Sequence, residues 1–250
     1  MNGSFQGKEG ENVNSGVELD IGVKGYLEYH LFGQTLYITT THICVLIVML
    51  ALTVFGICAN RAIKKADPYK APGAFVCFIE IIVGLLDGMA IDGLGKKHGP
   101  NFANYTGTLF MFILLSNISG LFGLRPPTAD YGVTLALGMI TFLLIHYNGF
   151  KYQKFGHITG LFKPIPILFP INLVGEIANP LSISLRLFGN VLSGTVMMAV
   201  VYTLIPKFLL IAWPGVLHIY FDVFSGAIQT YVFVMLSMVY ISDAFDGEEE

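Results

Sequence analysis

Long runs of predominantly apolar residues divide this chain into segments that can cross a membrane. A helix needs about 20 predominantly apolar residues to cross the hydrocarbon core of a bilayer. Runs of about that length or longer lie at residues 37–60, 104–124, 131–148, 166–205 and 208–242. The pattern predicts an all-α integral membrane protein with about five membrane helices in a single membrane domain, residues 37–242.

The last two runs are longer than upright membrane helices need to be. Residues 166–205 continue for about forty positions and residues 208–242 for about thirty-five. We therefore expect two long helices that tilt strongly, lie partly flat or break, joined as a hairpin by the turn at Pro206 and Lys207. Pro180 and the glycines at 175, 189 and 194 are positions at which these helices could bend.

Residues 71–95 show a helical pattern that carries charges. Glu80 and Asp87 are seven positions apart and therefore lie on one helical face. An apolar stripe of the same segment consists of Phe75, Phe78, Ile82 and Leu86. This combination predicts an interfacial amphipathic helix rather than a membrane span.

Composition and charge agree with a membrane protein and suggest its orientation. Hydrophobic residues make up 54% of the chain and charged residues 12%, where soluble domains have about a quarter charged. The net charge of −3 gives no reason to expect a nucleic-acid partner. Most Lys and Arg residues fall in the loops at 61–70, 96–97 and 151–163, which the positive-inside rule assigns to the cytoplasm. We expect residues 1–36 to form a polar tail outside the cytoplasm and residues 243–250 an acidic cytoplasmic tail.

A single arginine, Arg186, lies in the middle of the longest apolar part of the chain. A cation at the centre of a bilayer costs roughly 3 kcal/mol on insertion scales, so Arg186 is the first functional candidate. Helical spacing places it in a stripe with Ser182, Asn190 and Ser193. The following helix has a second stripe with helical spacing, made of His218, Asp222, Ser225 and Gln229.

One acidic residue is expected on each side of Arg186 along the membrane normal. Glu176 lies up to about 15 Å toward the cytoplasm, and Asp222 about 10 Å outward if Gln229 is level with Arg186. Asp222, Glu176 and His218 can exchange protons, whereas arginine remains charged. Arg186 could instead be a structural ion-pair partner of Asp222 or Glu176. His42 and His146, alone in apolar surroundings, are interpreted as packing residues.

The last part of the chain resembles subunit a of bacterial F-type ATP synthases. The resemblance rests on PINLVGEIANPLSISLRLFGNVLSG and, about forty residues later, on GAIQTYVFVMLSMVYIS. It implies that Arg186 is the stator charge facing the ring of c subunits, and that Asn190 and Gln229 are the family's polar residues. Many members have a glutamate and a histidine where this chain has Thr195 and Asp222, so a carboxylate has changed helix.

The resemblance also implies a function and partners. Ions would reach and leave the c-ring carboxylates through two offset half-channels, one near Asp222 and one near Glu176, and so drive rotation and ATP synthesis. The implied partners are the c ring, the b-subunit peripheral stalk, the catalytic sector through that stalk, and the bilayer of the bacterial cell membrane. We expect no catalytic residues and no cofactor, and no metal apart from a transient Na⁺. The sequence has no GxxxxGK[ST] loop for phosphate binding.

Several alternatives remain open at the level of the sequence. A stand-alone secondary transporter that binds an anionic substrate at Arg186 is the competing function, although no internal repeat is found. The coupling ion can be H⁺ or Na⁺, and the working direction and the number of c subunits are not encoded in this chain.

Overall fold

The computed structural model describes the backbone of residues 25–31, 34–66, 73–122, 124–154, 156, 159, 162, 165–204 and 213–245. Three expectations lie outside the described residues: most of the N-terminal tail (1–24), the turn at Pro206 and Lys207, and the end of the acidic tail (246–250). Lys70 and Lys163 of the basic loops lie outside them as well.

A short β-hairpin precedes the first helix. Strands β1 (Gly25–Leu31) and β2 (Gln34–Thr39) pair antiparallel. The hairpin falls in and just after the segment for which the sequence predicts a polar tail. Helix α1 follows directly at Thr40–Lys65. His42 Nδ1 lies 2.7 Å from Thr39 Oγ1 at its N-terminus, so this histidine contributes to the helix cap.

Helix α2 (Ala74–Ile118) consists of two arms that meet at Gly95. Gly95 has φ 73° and ψ 169°, a left-handed conformation that favours glycine. Leu86 Cδ1 lies only 3.4 Å from the position of a Cβ on Gly107, whereas 21 residues of straight helix would separate them by about 31 Å. The second arm therefore folds back along the first. The division falls where the sequence separates the predicted interfacial segment (71–95) from the predicted span (104–124).

The next two long helices run in opposite directions and pack against each other. Short 3₁₀ segments at Ser119–Phe122 and Pro127–Ala129 lead into α3 (Tyr131–Tyr152), whose N-cap Asp130 accepts a hydrogen bond from the Gly132 amide. A 3₁₀ turn at Pro166–Leu168 leads into α4 (Phe169–Leu204), which continues through Pro180. At 36 residues, α4 is about 54 Å long, longer than an upright helix needs to cross the bilayer.

The chain then returns in one continuous helix of mixed type, called the returning helix below. It consists of α5 (Trp213–His218), a π-helical segment (Ile219–Ser225) and α6 (Gly226–Ser242). The backbone dihedral angles at both junctions are right-handed helical. A π segment is uncommon and is often found at functional sites. Here it contains Asp222.

The helices pack around a core at the centre of the bundle. The fully buried side chains of this core include Ile113 of α2, Ile183 and Leu187 of α4, and Phe233 and Val234 of α6. Two ends of the bundle are distinguished below. The basic end carries the described lysines Lys64, Lys65, Lys96, Lys97, Lys151 and Lys154, and the opposite end carries the α2–α3 connection, residues 119–122 and 124–130.

The helical membrane fold predicted from the sequence is confirmed. Five described helices are long and apolar enough to cross a membrane, within Thr40–Lys65, Ala74–Phe122, Tyr131–Tyr152, Pro166–Thr203 and Gly215–Ser242. The first arm of α2 leaves Phe75 and Phe78 of its predicted apolar stripe exposed and buries Leu86 against the core. Its position at the membrane interface remains a prediction.

Candidate functional site

Arg186 lies on the exposed face of α4. Its neighbours Ile183 and Leu187 are buried in the core, so the helical period turns Arg186 to the other side. The same exposed face carries Ser182, Leu185, Gly189, Ser193 and Met197. Among the residues that the structure describes, Arg186 has no hydrogen-bond or ion-pair partner. A structural ion pair with Asp222 or Glu176 is therefore not formed.

The stripes of α4 and the returning helix meet through Asn190 and Ser225. Asn190 Nδ2 donates to Ser225 Oγ at 3.0 Å, and Ser225 Oγ is 3.2 Å from Asn190 Oδ1. A Cβ on Gly194 would contact Phe221 one helical turn further on. These two contacts define an antiparallel register in which Arg186 and Gln229 are level. Gln229 is buried, and its Nε2 has no hydrogen-bond partner among the described residues.

The side chains of Asp222, His218 and Tyr202 form a chain of contacts that leads toward the opposite end of the bundle. His218 Nδ1 lies 2.8 Å from Asp222 Oδ2, one helical turn away. His218 Nε2 lies 3.0 Å from the hydroxyl of Tyr202 on α4. The His218 imidazole therefore contacts both the Asp222 carboxylate and the half-exposed phenol of Tyr202. Such a chain of side chains can transfer a proton from one group to the next.

The α2–α3 connection covers the Asp222 carboxylate from another side. The Asp222 Cγ and Oδ1 atoms lie 3.2 Å from the position of a Cβ on Gly120, so only a glycine leaves the carboxylate its present space. Nearby, Asn117 Nδ2 donates to the Gly226 carbonyl at 3.1 Å and to Thr230 Oγ1 at 3.2 Å. Asn117 Oδ1 accepts from Thr128 Oγ1 at 2.7 Å. The buried Ser116 hydroxyl next to this network has no partner among the described residues.

A cavity of about 590 Å³ opens at the basic end, between α3, α4 and the C-terminal part of the returning helix. Its wall contains Glu176, and His146 of α3 reaches it with Nε2 at 3.3 Å from Glu176 Oε2. Asn172, Asn179 and Asp243 also line it. A water needs only about 15 Å³ of such space, so the cavity can hold several waters next to Glu176.

The remaining predicted site residues take more local roles. Ser193 Oγ donates to the Asn190 carbonyl at 2.9 Å, and Thr195 Oγ1 donates to the Leu192 carbonyl at 2.8 Å. The helix register puts Thr195 near the level of Asp222, but its hydroxyl is occupied within its own helix. Ser182 is exposed one turn from Arg186. The structure thus brings Asn190 into contact with Ser225 and His218 into contact with Asp222, and it leaves Thr195 apart from both pairs.

His146, Tyr202 and Gly120 are site residues that the sequence analysis missed. The interpretation of His146 as a packing residue is wrong, because its ring contacts Glu176 in the cavity wall. A signal was available: His146 lies six residues before the end of α3, and Glu176 seven after the start of α4. In two antiparallel helices that are joined at one end, residues at similar distances from the junction lie at similar depth in the bundle. Tyr202 and Gly120 have no comparable signal.

Comparisons with known proteins identify related chains. The family model described as ATP synthase A chain matches residues 41–242. The chain is 40% identical over 189 residues to the sodium-ion-specific ATP synthase subunit a of Propionigenium modestum, covering 69% of this chain and 64% of that relative, just under two thirds of its length. It is 35% identical over 232 residues to the ATP synthase subunit a of Listeria welshimeri, covering 86% of this chain and 92% of the relative. For the subunit a of Desulforamulus reducens the identity is 32% over 252 residues, with 96% and 94% covered.

Proposed function

Because this chain belongs to the ATP synthase A chain family, it is a multi-pass membrane-sector subunit of an F-type ATP synthase, and we propose that it is the non-catalytic, ion-conducting stator of that sector. The exposed, unpartnered position of Arg186 carries this proposal. A buried or membrane-facing cation needs a counter-charge, and the described part of this chain supplies none to Arg186. A c-ring carboxylate that passes the exposed face of α4 would supply it.

The two polar regions support two offset half-channels. An ion enters from the opposite end past Asp222 and His218, and Asn190 and Gln229 lead it to the level of Arg186. It binds and neutralises a c-ring carboxylate, which can then turn into lipid. After nearly a full turn the ion leaves through the basic-end cavity beside Glu176.

The end of α2 adds a third wall to the opposite-end half-channel. The Ser116 hydroxyl and the Gln229 Nε2 atom are buried without a hydrogen-bond partner among the described residues, and they precede in the chain Asn117 and Thr230, which contact each other. Buried polar atoms without protein partners are typically satisfied by water or an ion. Water on this path would connect the level of Asp222 with the level of Gln229.

Arg186 separates the two half-channels electrostatically. Its guanidinium remains protonated at any physiological pH, so it attracts an ionised c-ring carboxylate and repels a passing cation. An ion can therefore move from one half-channel to the other only when it is carried by the ring. Flow of H⁺ or Na⁺ is coupled to rotation in this way, and the peripheral stalk of b subunits links the stator to the catalytic sector. We place the N-terminus outside a bacterial cell membrane and the C-terminus in the cytoplasm.

The deciding experiment replaces Arg186 by alanine in the reconstituted complex. Arg186→Ala should abolish ion-driven ATP synthesis in proteoliposomes while the c ring still co-purifies. Arg61→Ala is the matched control, because it removes an exposed arginine at the end of α1, far from the site, and should leave synthesis unchanged. Normal coupled synthesis by an assembled Arg186→Ala complex would overturn the proposal. Purification of a lone chain that is stabilised by an anionic substrate would favour a secondary transporter instead.

A further inference from the structure

The returning helix is followed by a short turn that is held against the basic end of two other helices. Phe245 is only 7% exposed, and its ring stacks on the His98 ring with centroids 4.0 Å apart and planes 7° apart. The rings of Tyr152 and Phe102 contact it edge-on, at 4.9 and 6.0 Å, an arrangement that aromatic pairs favour. His98 and Phe102 belong to α2, and Tyr152 is the last residue of α3. These four rings are called the aromatic clamp below.

Hydrogen bonds hold the same turn from the side of α3. Helix α6 ends at Ser242, so the backbone carbonyl groups beyond it need partners from elsewhere in the molecule. Gln153, the C-cap residue of α3, donates from Nε2 to the Asp243 carbonyl at 3.1 Å and to the Ala244 carbonyl at 3.2 Å. Ala244 is also buried. Residues 243–245 are therefore fixed in place after the helix has ended.

The fixed turn forms part of the wall of the basic-end cavity. Asp243 and Ala244 line this cavity together with Gln153, and Glu176 of α4 lies in another part of the lining. The position of the turn therefore contributes to the width of the path beside Glu176. Phe245 is not in the described lining of the cavity, so it acts on the path only through the turn that it anchors.

The rest of this region is held by packing between helices. Helices α3 and α4 approach each other closely, because a Cβ on Gly138 would lie 2.8 Å from the Pro180 carbonyl oxygen. Phe245 belongs to one buried apolar cluster with Met238 of α6 and Leu94 of α2. The clamp thus extends the helix packing beyond the end of α6 and into the turn.

We propose that Phe245 is a positioning residue for the basic-end half-channel, because it holds in place the cavity wall that residues 243 and 244 form. This inference rests on the proposed stator function. A phenylalanine side chain neither binds nor transfers an ion in water-filled surroundings, so its effect comes from geometry alone. A turn that is released from the clamp can move into the cavity and obstruct the path beside Glu176. Passage through this half-channel then becomes slower, whereas the opposite-end half-channel is unchanged.

The test measures ion uptake into liposomes that contain the assembled membrane sector. The ion concentration is kept low on the side of entry, so that entry from that side limits the rate, and the two directions are measured separately. For Phe245→Ala we expect uptake from the basic side to fall about fivefold or more, since even small misplacements of positioned groups can have large effects on rate. Uptake from the opposite side should change by less than about twofold, because that entry path does not include the turn.

Three further variants separate positioning from a general loss of stability. Phe245→Tyr keeps the ring in the clamp and should retain at least about half of the basic-side rate. Phe78→Ala is the matched control, because it removes a 53% exposed phenylalanine from the same helix that carries His98, and uptake from both sides should be unchanged. If Phe245→Ala does not assemble, Phe245→Leu keeps an apolar side chain without the ring and should give a smaller loss that is again confined to the basic side.

Equal slowing from both sides in an assembled Phe245→Ala complex would overturn the proposal, because Phe245 would then only stabilise the fold. Unchanged uptake from the basic side would overturn it as well, and so would a Phe245→Tyr complex that is as slow as Phe245→Ala. These failures are distinct from failure of the stator function. If the stator function is right and the clamp inference wrong, Arg186→Ala still abolishes synthesis. If the stator function is wrong, Arg186→Ala leaves synthesis intact.

Discussion

Each half of this membrane bundle contains a histidine next to a carboxylate, but the two pairs are built differently. At the opposite end His218 and Asp222 lie one turn apart on a single helix, 2.8 Å from each other. At the basic end His146 and Glu176 belong to two helices, 3.3 Å apart. The first pair is fixed by the helix that carries it, whereas the second depends on how α3 packs against α4.

The surroundings of the two pairs differ as much as their construction. The α2–α3 connection closes in on Asp222, with Gly120 and Pro126 at close packing distance. Glu176 instead faces a cavity of about 590 Å³. A closely packed carboxylate can bind one ion or proton at a time from a defined direction. An open cavity exchanges ions with water freely, so its side chains can change the rate of flow without determining its path.

The largest difference between the halves should appear when each carboxylate is neutralised. We expect Asp222→Asn to slow ion uptake from the opposite side by about tenfold or more, a typical effect of losing a proton-transfer group. Glu176→Gln should change uptake from that side by less than about twofold, because it lies on the far side of Arg186. Sided flux into liposomes that contain the assembled membrane sector measures both.

Equal effects of these two substitutions on uptake from the opposite side would contradict the assignment of the half-channels. The flux of each variant in the reverse direction is the internal control. There the order should be inverted, with Glu176→Gln slowing uptake from the basic side more than Asp222→Asn does.

Features encoded along one helix could be predicted from the sequence. Helix α3 was expected at 131–148 and is observed at Tyr131–Tyr152, and α4 was expected at 166–205 and is observed at Phe169–Leu204. His218 and Asp222 belong to one predicted stripe because four-residue spacing brings side chains together in any helix. The level position of Arg186 and Gln229 was an assumption, and the Asn190–Ser225 contact supports it.

Features that depend on packing between helices could not be predicted in the same way. The His146–Glu176 contact joins residues 30 positions apart, and the Asn117–Thr230 contact joins residues 113 apart. Hydrophobic periodicity tells which face of a helix is buried but not which neighbour buries it. The N-terminal hairpin was missed because the first thirty residues were interpreted as a polar tail, although Leu27, Tyr29 and Leu31 alternate with polar residues as in a strand.

An intermediate effect should follow from filling the space at Gly120. In Gly120→Ala the new Cβ would lie 3.2 Å from Asp222 Cγ, so the carboxylate must shift by a few tenths of an ångström. We expect ion uptake from the opposite side to fall about two- to fivefold, equivalent to roughly 1 kcal/mol of overpacking. Gly84→Ala is the matched control, since nothing lies within 4 Å of its new Cβ.

A double variant tests whether Gly120 acts through Asp222. Combined with Asp222→Asn, the Gly120→Ala substitution should slow uptake no further, because the charge that it displaces is already gone. Independent, multiplying effects would mean that Gly120 shapes the path in another way, and the closely packed character of this half would need a different explanation.

The smallest effect on ion uptake is expected at Tyr202, the outer end of the contact chain formed by Asp222, His218 and Tyr202. Tyr202→Phe removes the hydroxyl that lies 3.0 Å from His218 Nε2, but Tyr202 is 49% exposed, so water can take the place of the hydroxyl. Uptake from the opposite side at neutral pH should therefore change by less than about twofold. A loss as large as that of Asp222→Asn would make Tyr202 an obligatory carrier, and the opposite-end path would then begin on α4 rather than at the His218–Asp222 pair. Because the substitution leaves the ring in place, such a loss could not be attributed to packing.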